Sequence, residues 1–129
     1  RLRQLKSQGT TLVLTTQYME EAQQLCDRLV VMYRGRILKE GPPSRLVEEE
    51  IGREVVEGRR PPEDDARILG ELAAFPCAHE RVGDTLYFYC RDGHSLMRKL
   101  LELDLSNTLN RPATLEDVFL KLTGRSLHE

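Results

Sequence analysis

Gln17 stands in the run Thr11-Leu-Val-Leu-Thr-Thr-Gln-Tyr-Met-Glu-Glu-Ala22, and the chain's clearest chemistry lies there. Residues 11–15 are β-branched and apolar, the composition of a short strand buried on both faces of a parallel sheet. Residues 18–26 read as a helix, with Glu20 and Glu21 in a first turn that the helix dipole favours. Gln17 would then occupy a strand-to-helix turn at the carboxyl end of a strand, where α/β folds place ligands. The N–H groups that open the following helix favour a phosphate. A glutamine amide can donate to a γ-phosphate oxygen and accept from an attacking water, the water-positioning role that glutamine takes in some nucleotide hydrolases. Spacing alone also allows a plainer role, the start of a helix, because strand-turn-helix recurs throughout α/β folds.

A second group is Cys77-Ala-His79 with Cys90-x-x-x-His94. If Gly83-Asp84 is a two-residue hairpin turn, Cys77 lies directly across from Cys90. Two Cys and two His could then approach a tetrahedral zinc site. A slip of one residue destroys that arrangement, and small buried thiols in a hairpin account for the same residues, so no metal ligand is assigned. The runs Glu48-Glu-Glu50 and Glu63-Asp-Asp65, with Arg59-Arg60 between them, read as solvated faces and linker ends or, alternatively, as a docking surface for another subunit.

The elements that must position these residues divide the chain into three regions. Residues 1–41 hold a helix tail stopped by Gly9, the strand and helix around Gln17, and a hairpin whose strands, 29–33 and 36–39, flank Arg34-Gly35. Residues 42–51 form a connection: Gly41-Pro-Pro-Ser punctuates the chain, and Ser44 could cap a short helix over 44–50. Residues 52–129 carry a weak strand at 53–57, a break at 58–62, a helix at 63–75, a hairpin of 77–82 with 85–91, a helix at 95–103 and an alternating strand at 105–110. That order, strand-helix-strand-strand-helix-strand, belongs to a split βαβ, or ferredoxin-like, fold. A last helix at 115–122 aligns Leu115, Val118, Phe119 and Leu122, with Thr114-Leu-Glu-Asp117 resembling a capping box and Gly124 at its end. Its apolar stripe could close the 52–129 domain or pack back on the first region.

The composition sets limits. The 129 residues suit one domain, or a small domain plus an appendage, and 40% hydrophobic content supports an aliphatic core without Trp. Nineteen basic and 21 acidic residues give a net charge of -2, which argues against general nucleic-acid binding. No apolar run is long enough to span a bilayer, and no signal-peptide pattern is present. Cys26, Cys77 and Cys90 are a sparse, odd set that suits a reducing cytosol better than a disulfide framework. The chain begins at Arg1, inside what reads as a helix, which suggests a piece of a longer protein.

The segment Thr15-Thr-Gln-Tyr-Met-Glu-Glu-Ala-Gln-Gln-Leu-Cys-Asp-Arg28 and the hairpin Met32-x-x-Gly-x-Ile37 together resemble the switch segment of ATP-binding-cassette (ABC) transporter ATPases, where the residue after the strand touches the γ-phosphate. The tail Pro112-Ala-Thr-Leu-Glu-Asp-Val-Phe-Leu-Lys-Leu-Thr-Gly124 resembles the C-terminal signature of the drug-resistance, ABC-2-type exporter branch, similar to daunorubicin-resistance ATP-binding proteins. The two matches cover both ends of the chain, and the ferredoxin-like pattern between them agrees with that branch's accessory domain. The resemblance implies an α/β chain that is the tail end of a P-loop NTPase core followed by a small accessory domain. It implies Gln17 as the γ-phosphate switch, where most of the family has His. It further implies ATP and Mg²⁺ as cofactors of the longer parent, a transmembrane partner subunit, a second ATP-binding subunit, a place on the cytoplasmic face of the membrane, and export of a drug-like or lipid-like small molecule.

The Gly-x-x-x-x-Gly-Lys-Ser/Thr phosphate loop, a Leu-Ser-Gly-Gly-type signature and a strand ending in Asp-Glu are not found in these residues. The 129 residues by themselves are therefore expected neither to bind ATP tightly nor to hydrolyse it. The reading from a different class is a stand-alone regulatory or dimerisation module. In either case the apolar strand at 11–15 needs cover, so a homodimer or larger assembly of the chain is expected.

Overall fold

Two sequence periods set the architecture: helical stripes around 65–71, 93–102 and 115–123, and short β-rich runs that must pair to satisfy their backbones. A computed structural model describes residues 1–103, 105 and 107–124. The chain is mixed α/β with two antiparallel sheets and divides into two compact units, residues 1–47 with 114–124, and residues 48–113. Residues 52–129 are one region by sequence, with the stripe of the last helix free to close it or to pack back on the first region; the helix at 115–123 falls in the first unit.

In the first unit, α1 (Leu2–Ser7) ends at Gln8 and Gly9, whose φ of 86° is the left-handed conformation that glycine adopts cheaply. Helix α2 is Met19–Leu25. Lys6 Nζ donates to the Leu25 carbonyl at 3.0 Å and pairs with Asp27 at 2.7 Å, placing a cation where the α2 dipole is negative. Strands β1 (Leu29–Tyr33) and β2 (Arg36–Gly41) form the expected hairpin. Arg34 and Gly35 both have positive φ, the geometry of a type I′ turn. The register shifts between Val31 and Met32, a bulge that leaves Met32 opposite Ile37, both exposed.

Helix α3 spans Pro43–Glu50. The expected Ser44 cap is corrected: the helix starts one residue earlier, on Pro43, because the ring fixes φ near the helical value and its missing N–H is no loss in the first turn. Helix α6 (Leu115–Thr123) has the capping box read from the sequence. Thr114 N–H donates to Asp117 Oδ2 at 2.8 Å, the Asp117 N–H donates back to Thr114 Oγ1, and Gly124 closes the helix at φ 69°. Asp117 is only 2% exposed, so this reciprocal pairing sits in a buried setting with Leu115, Val118 and Phe119. Phe119 meets Tyr33 edge to face at 5.8 Å.

One expectation fails here. Residues 11–15 form no strand. They carry no regular secondary structure, with Leu12, Val13 and Leu14 exposed, Val13 to 96%. A β-branched run becomes a strand only when a neighbour accepts its backbone hydrogen bonds. The four strands of the second unit pair among themselves, and β1 pairs with β2.

The second unit is the split βαβ. Strands β3 (Glu54–Arg59), β4 (Ala78–Val82), β5 (Thr85–Cys90) and β6 (Thr108–Pro112) lie in the order β4-β5-β3-β6, every neighbour antiparallel. Helices α4 (Asp65–Glu71) and α5 (Gly93–Glu102) supply Ile68, Leu96 and Leu100 to a core with Val56, Leu86, Phe88, Cys90 and Leu105. Three boundaries differ from expectation. Gly58 does not break β3 but lies within it, because a Cβ there would stand 2.9 Å from the Asn107 carbonyl oxygen, an approach that only glycine permits. The first helix is a short 3₁₀ turn (Pro62–Asp64) followed by α4, and the chain has left the helix before Phe75, which precedes Pro76 and is steered away from helical backbone. The expected strand from Leu105 includes Ser106, which lies outside the described residues, and pairing starts at Thr108.

Candidate functional site: the Gln17 turn

Gln17 lies at the crest of a turn made by side-chain chemistry. Thr16 Oγ1 accepts the Tyr18 N–H at 2.9 Å, a local bond that turns the chain into α2. Gln17 is exposed, and Tyr18 opens the helix in extended backbone without a side-chain cap. The turn borders an open groove of about 660 Å³ lined by Gln17, Tyr18, Glu20, Glu21, Arg3 and Glu116, among others. Three carboxylates against one guanidinium leave this groove net negative, and Glu20 and Glu21 already answer the positive end of α2, so a phosphate reaching Gln17 needs cations from outside these residues.

Behind the turn, α2 is fixed to α6. Gln23 Oε1 accepts the Leu115 N–H, one of the first-turn donors that a helix cannot satisfy internally, at 3.0 Å. Sequence reading missed Gln23, because the two residues are 92 positions apart and no local pattern links them. The helix that follows Gln17 is thus held at its end by Lys6, which pairs with Asp27, and along its length by the bond from Gln23 to the first residue of α6, Leu115.

The cysteine and histidine group separates. His79 lies on β4 opposite Phe88, His94 is exposed in the first turn of α5, Cys90 is buried at the end of β5, and Cys77 precedes β4. No three His, Cys, Asp or Glu side chains gather as a metal site among the described residues. Burial pushes the Cys77 thiol up, and burial with the nearby Glu54 carboxylate pushes Cys90 up to about 11, so both are neutral thiols near pH 7. Of the charge runs, Glu48 pairs with Arg91 at 2.9 Å, and Asp65 accepts two hydrogen bonds from Arg81.

The comparisons with known proteins fall on ATP-binding export proteins. Residues 65–124 match the family described as "Nodulation factor export protein NodI, C-terminal domain". Over its whole length the chain is 46% identical to Nod factor export ATP-binding protein I of Burkholderia lata and to the protein of the same name in Burkholderia orbicola. It is 44% identical to the protein of that name in Mesorhizobium japonicum. It spans 42% of the two Burkholderia proteins and 37% of the Mesorhizobium one. The similarity bears out the ATP-binding transporter class read from the sequence, and the relatives carry the name of Nod factor export where the sequence reading pointed to drug resistance.

Proposed function

We propose that these residues are the C-terminal part of the ATP-binding subunit of an ABC-type exporter and that Gln17 is its γ-phosphate switch. The observation that carries the reading is the exposed β-branched and apolar run at 11–15, outside any sheet, leading through the Thr16 turn into α2. Such a run suits the interior strand of a sheet whose other strands come from outside these 129 residues. In that setting the Gln17 amide would donate to the γ-phosphate and orient the attacking water. ATP and Mg²⁺ would be held by residues beyond this chain, and the 129 residues alone would be inactive. The names of the relatives support Nod factor as cargo, a narrower reading than the drug-like or lipid-like molecule implied by the sequence. The working partners would be a transmembrane subunit and a second ATP-binding subunit, with the chain on the cytoplasmic face of the membrane. Residues 48–113 would act as the accessory, regulatory domain.

The test is Gln17→Ala in the longer protein, reconstituted with its transmembrane partner. ATP hydrolysis and export should fall together while nucleotide binding persists, since a residue that acts on the attacking water contributes mainly in the transition state. Unchanged hydrolysis would remove Gln17 from this role.

A further inference from the structure

Cys77 and Cys90 are not used by the proposed switch, and the hairpin geometry pairs them closely. Gly83, at φ 61°, and Asp84 make a two-residue turn, so Val82 and Thr85 are the hydrogen-bonded pair that closes it. Hydrogen-bonded and non-hydrogen-bonded pairs alternate along an antiparallel ladder. Arg81–Leu86 and His79–Phe88 are therefore non-hydrogen-bonded, and Ala78–Tyr89, the last registered pair, is hydrogen-bonded. Continuing the ladder by one residue sets Cys77 opposite Cys90 in a non-hydrogen-bonded position, and the Cys77 N–H, free of the ladder there, donates to the Phe75 carbonyl at 2.8 Å. That pair type brings Cα atoms to roughly 4.5 Å, inside the range a disulfide bridges, about 4.4–6.8 Å. Alternation also puts both side chains on the sheet face that carries Phe88, and both pack against the core of Val56, Leu86 and Leu96. Cys77 is half-buried and reachable, whereas Cys90 is buried, its thiol donating toward the Glu54 carbonyl at 3.6 Å.

We infer that Cys77 and Cys90 form a reversible cross-strand disulfide when the chain meets a disulfide oxidant such as oxidised glutathione. The Cys77 thiolate attacks one sulfur of the oxidant and displaces one glutathione thiolate. The Cys90 thiolate then attacks the Cys77 sulfur of that mixed disulfide and displaces glutathione's second thiolate. Two protein thiols give up two protons and two electrons, and one glutathione disulfide becomes two thiols. The neutral state of both thiols near pH 7 makes the reaction slow there and faster as pH rises. The bond ties β4, the edge strand, to β5 and closes a short loop across the hairpin. This inference stands apart from the role of Gln17.

The full chain is incubated with oxidised glutathione at about pH 8.5, the remaining thiols are alkylated, and the protein is digested with trypsin without reductant. Trypsin cuts after Arg67, Arg81 and Arg91, so Cys77 and Cys90 leave on separate peptides, residues 68–81 and 82–91, unless a disulfide joins them. The native chain should give that joined pair with Cys26 outside it, and the oxidised chain should show an unfolding equilibrium constant lowered about 100-fold. Chain unfolded in urea before oxidation should instead scramble all three cysteines. A native digest that matches the scrambled one, or that shows a stable glutathione adduct on Cys77 without the joined peptides, would overturn the inference.

Discussion

Asp65 and Arg81 form the best-defined charge pair of the second unit: the guanidinium donates to both carboxylate oxygens, and each side chain is about one-fifth exposed. The hydrogen bonds and charge of Arg81 hold the Asp65 carboxyl below its ordinary range. A carboxylate with a depressed folded pKa stabilises the fold above its unfolded pKa and loses that contribution as pH falls through the folded value. Asp65→Asn should therefore cost about 1–2 kcal/mol at neutral pH, discounted for partial exposure. Urea midpoints of the variant and the parent should converge as the solution is acidified to about pH 3. Equal gaps at both pH values would show that the pair does not carry the effect. Gly58 makes a second residue-scale prediction. Gly58→Ala drives a methyl against the backbone of Asn107, which cannot rotate away, so the second unit should lose about 1–3 kcal/mol in chemical denaturation. Sequence reading saw this glycine as a strand breaker, since close approach by a backbone about fifty positions away is a tertiary fact.

Among the elements, those that satisfy themselves locally were the legible ones. The capping box of α6, the Arg34-Gly35 hairpin and the left-handed stop at Gly124 each complete their hydrogen bonds within a few residues, and each stands where the pattern put it. Residues 11–15 were misread as a strand because β-propensity reports a surface that fits a sheet, and the sheet must be present. Two predictions belong at this scale. Thr114→Ala removes the side-chain acceptor for the Asp117 N–H and should cost about 1 kcal/mol, read as a fall in the thermal midpoint of several degrees. An unaltered midpoint would mean that the cap is dispensable. The exposed run Leu12-Val-Leu14 should make the isolated chain self-associate, and Val13→Asp should shift it toward monomer in light scattering. A parent chain that stays monomeric at high concentration would contradict that expectation.

At the scale of the molecule, the strand-helix-strand-strand-helix-strand rhythm specified the second unit well. Its strand order β4-β5-β3-β6 is the split βαβ arrangement that the rhythm implied. The candidate site was legible only in part. The Thr-Thr-Gln turn is local and shows in the sequence, whereas the Gln23–Leu115 bond that braces it depends on chain folding back over 92 positions. The central claim is that Gln17 acts on the γ-phosphate of ATP bound by a longer protein. The most direct measurement is the steady-state ATP hydrolysis rate of that longer protein beside its Gln17→Ala variant, with the 129-residue chain assayed alongside. The account predicts no hydrolysis by the 129 residues alone and a fall of about tenfold or more in kcat for the variant. Hydrolysis by the short chain, or a variant as fast as its parent, would contradict it.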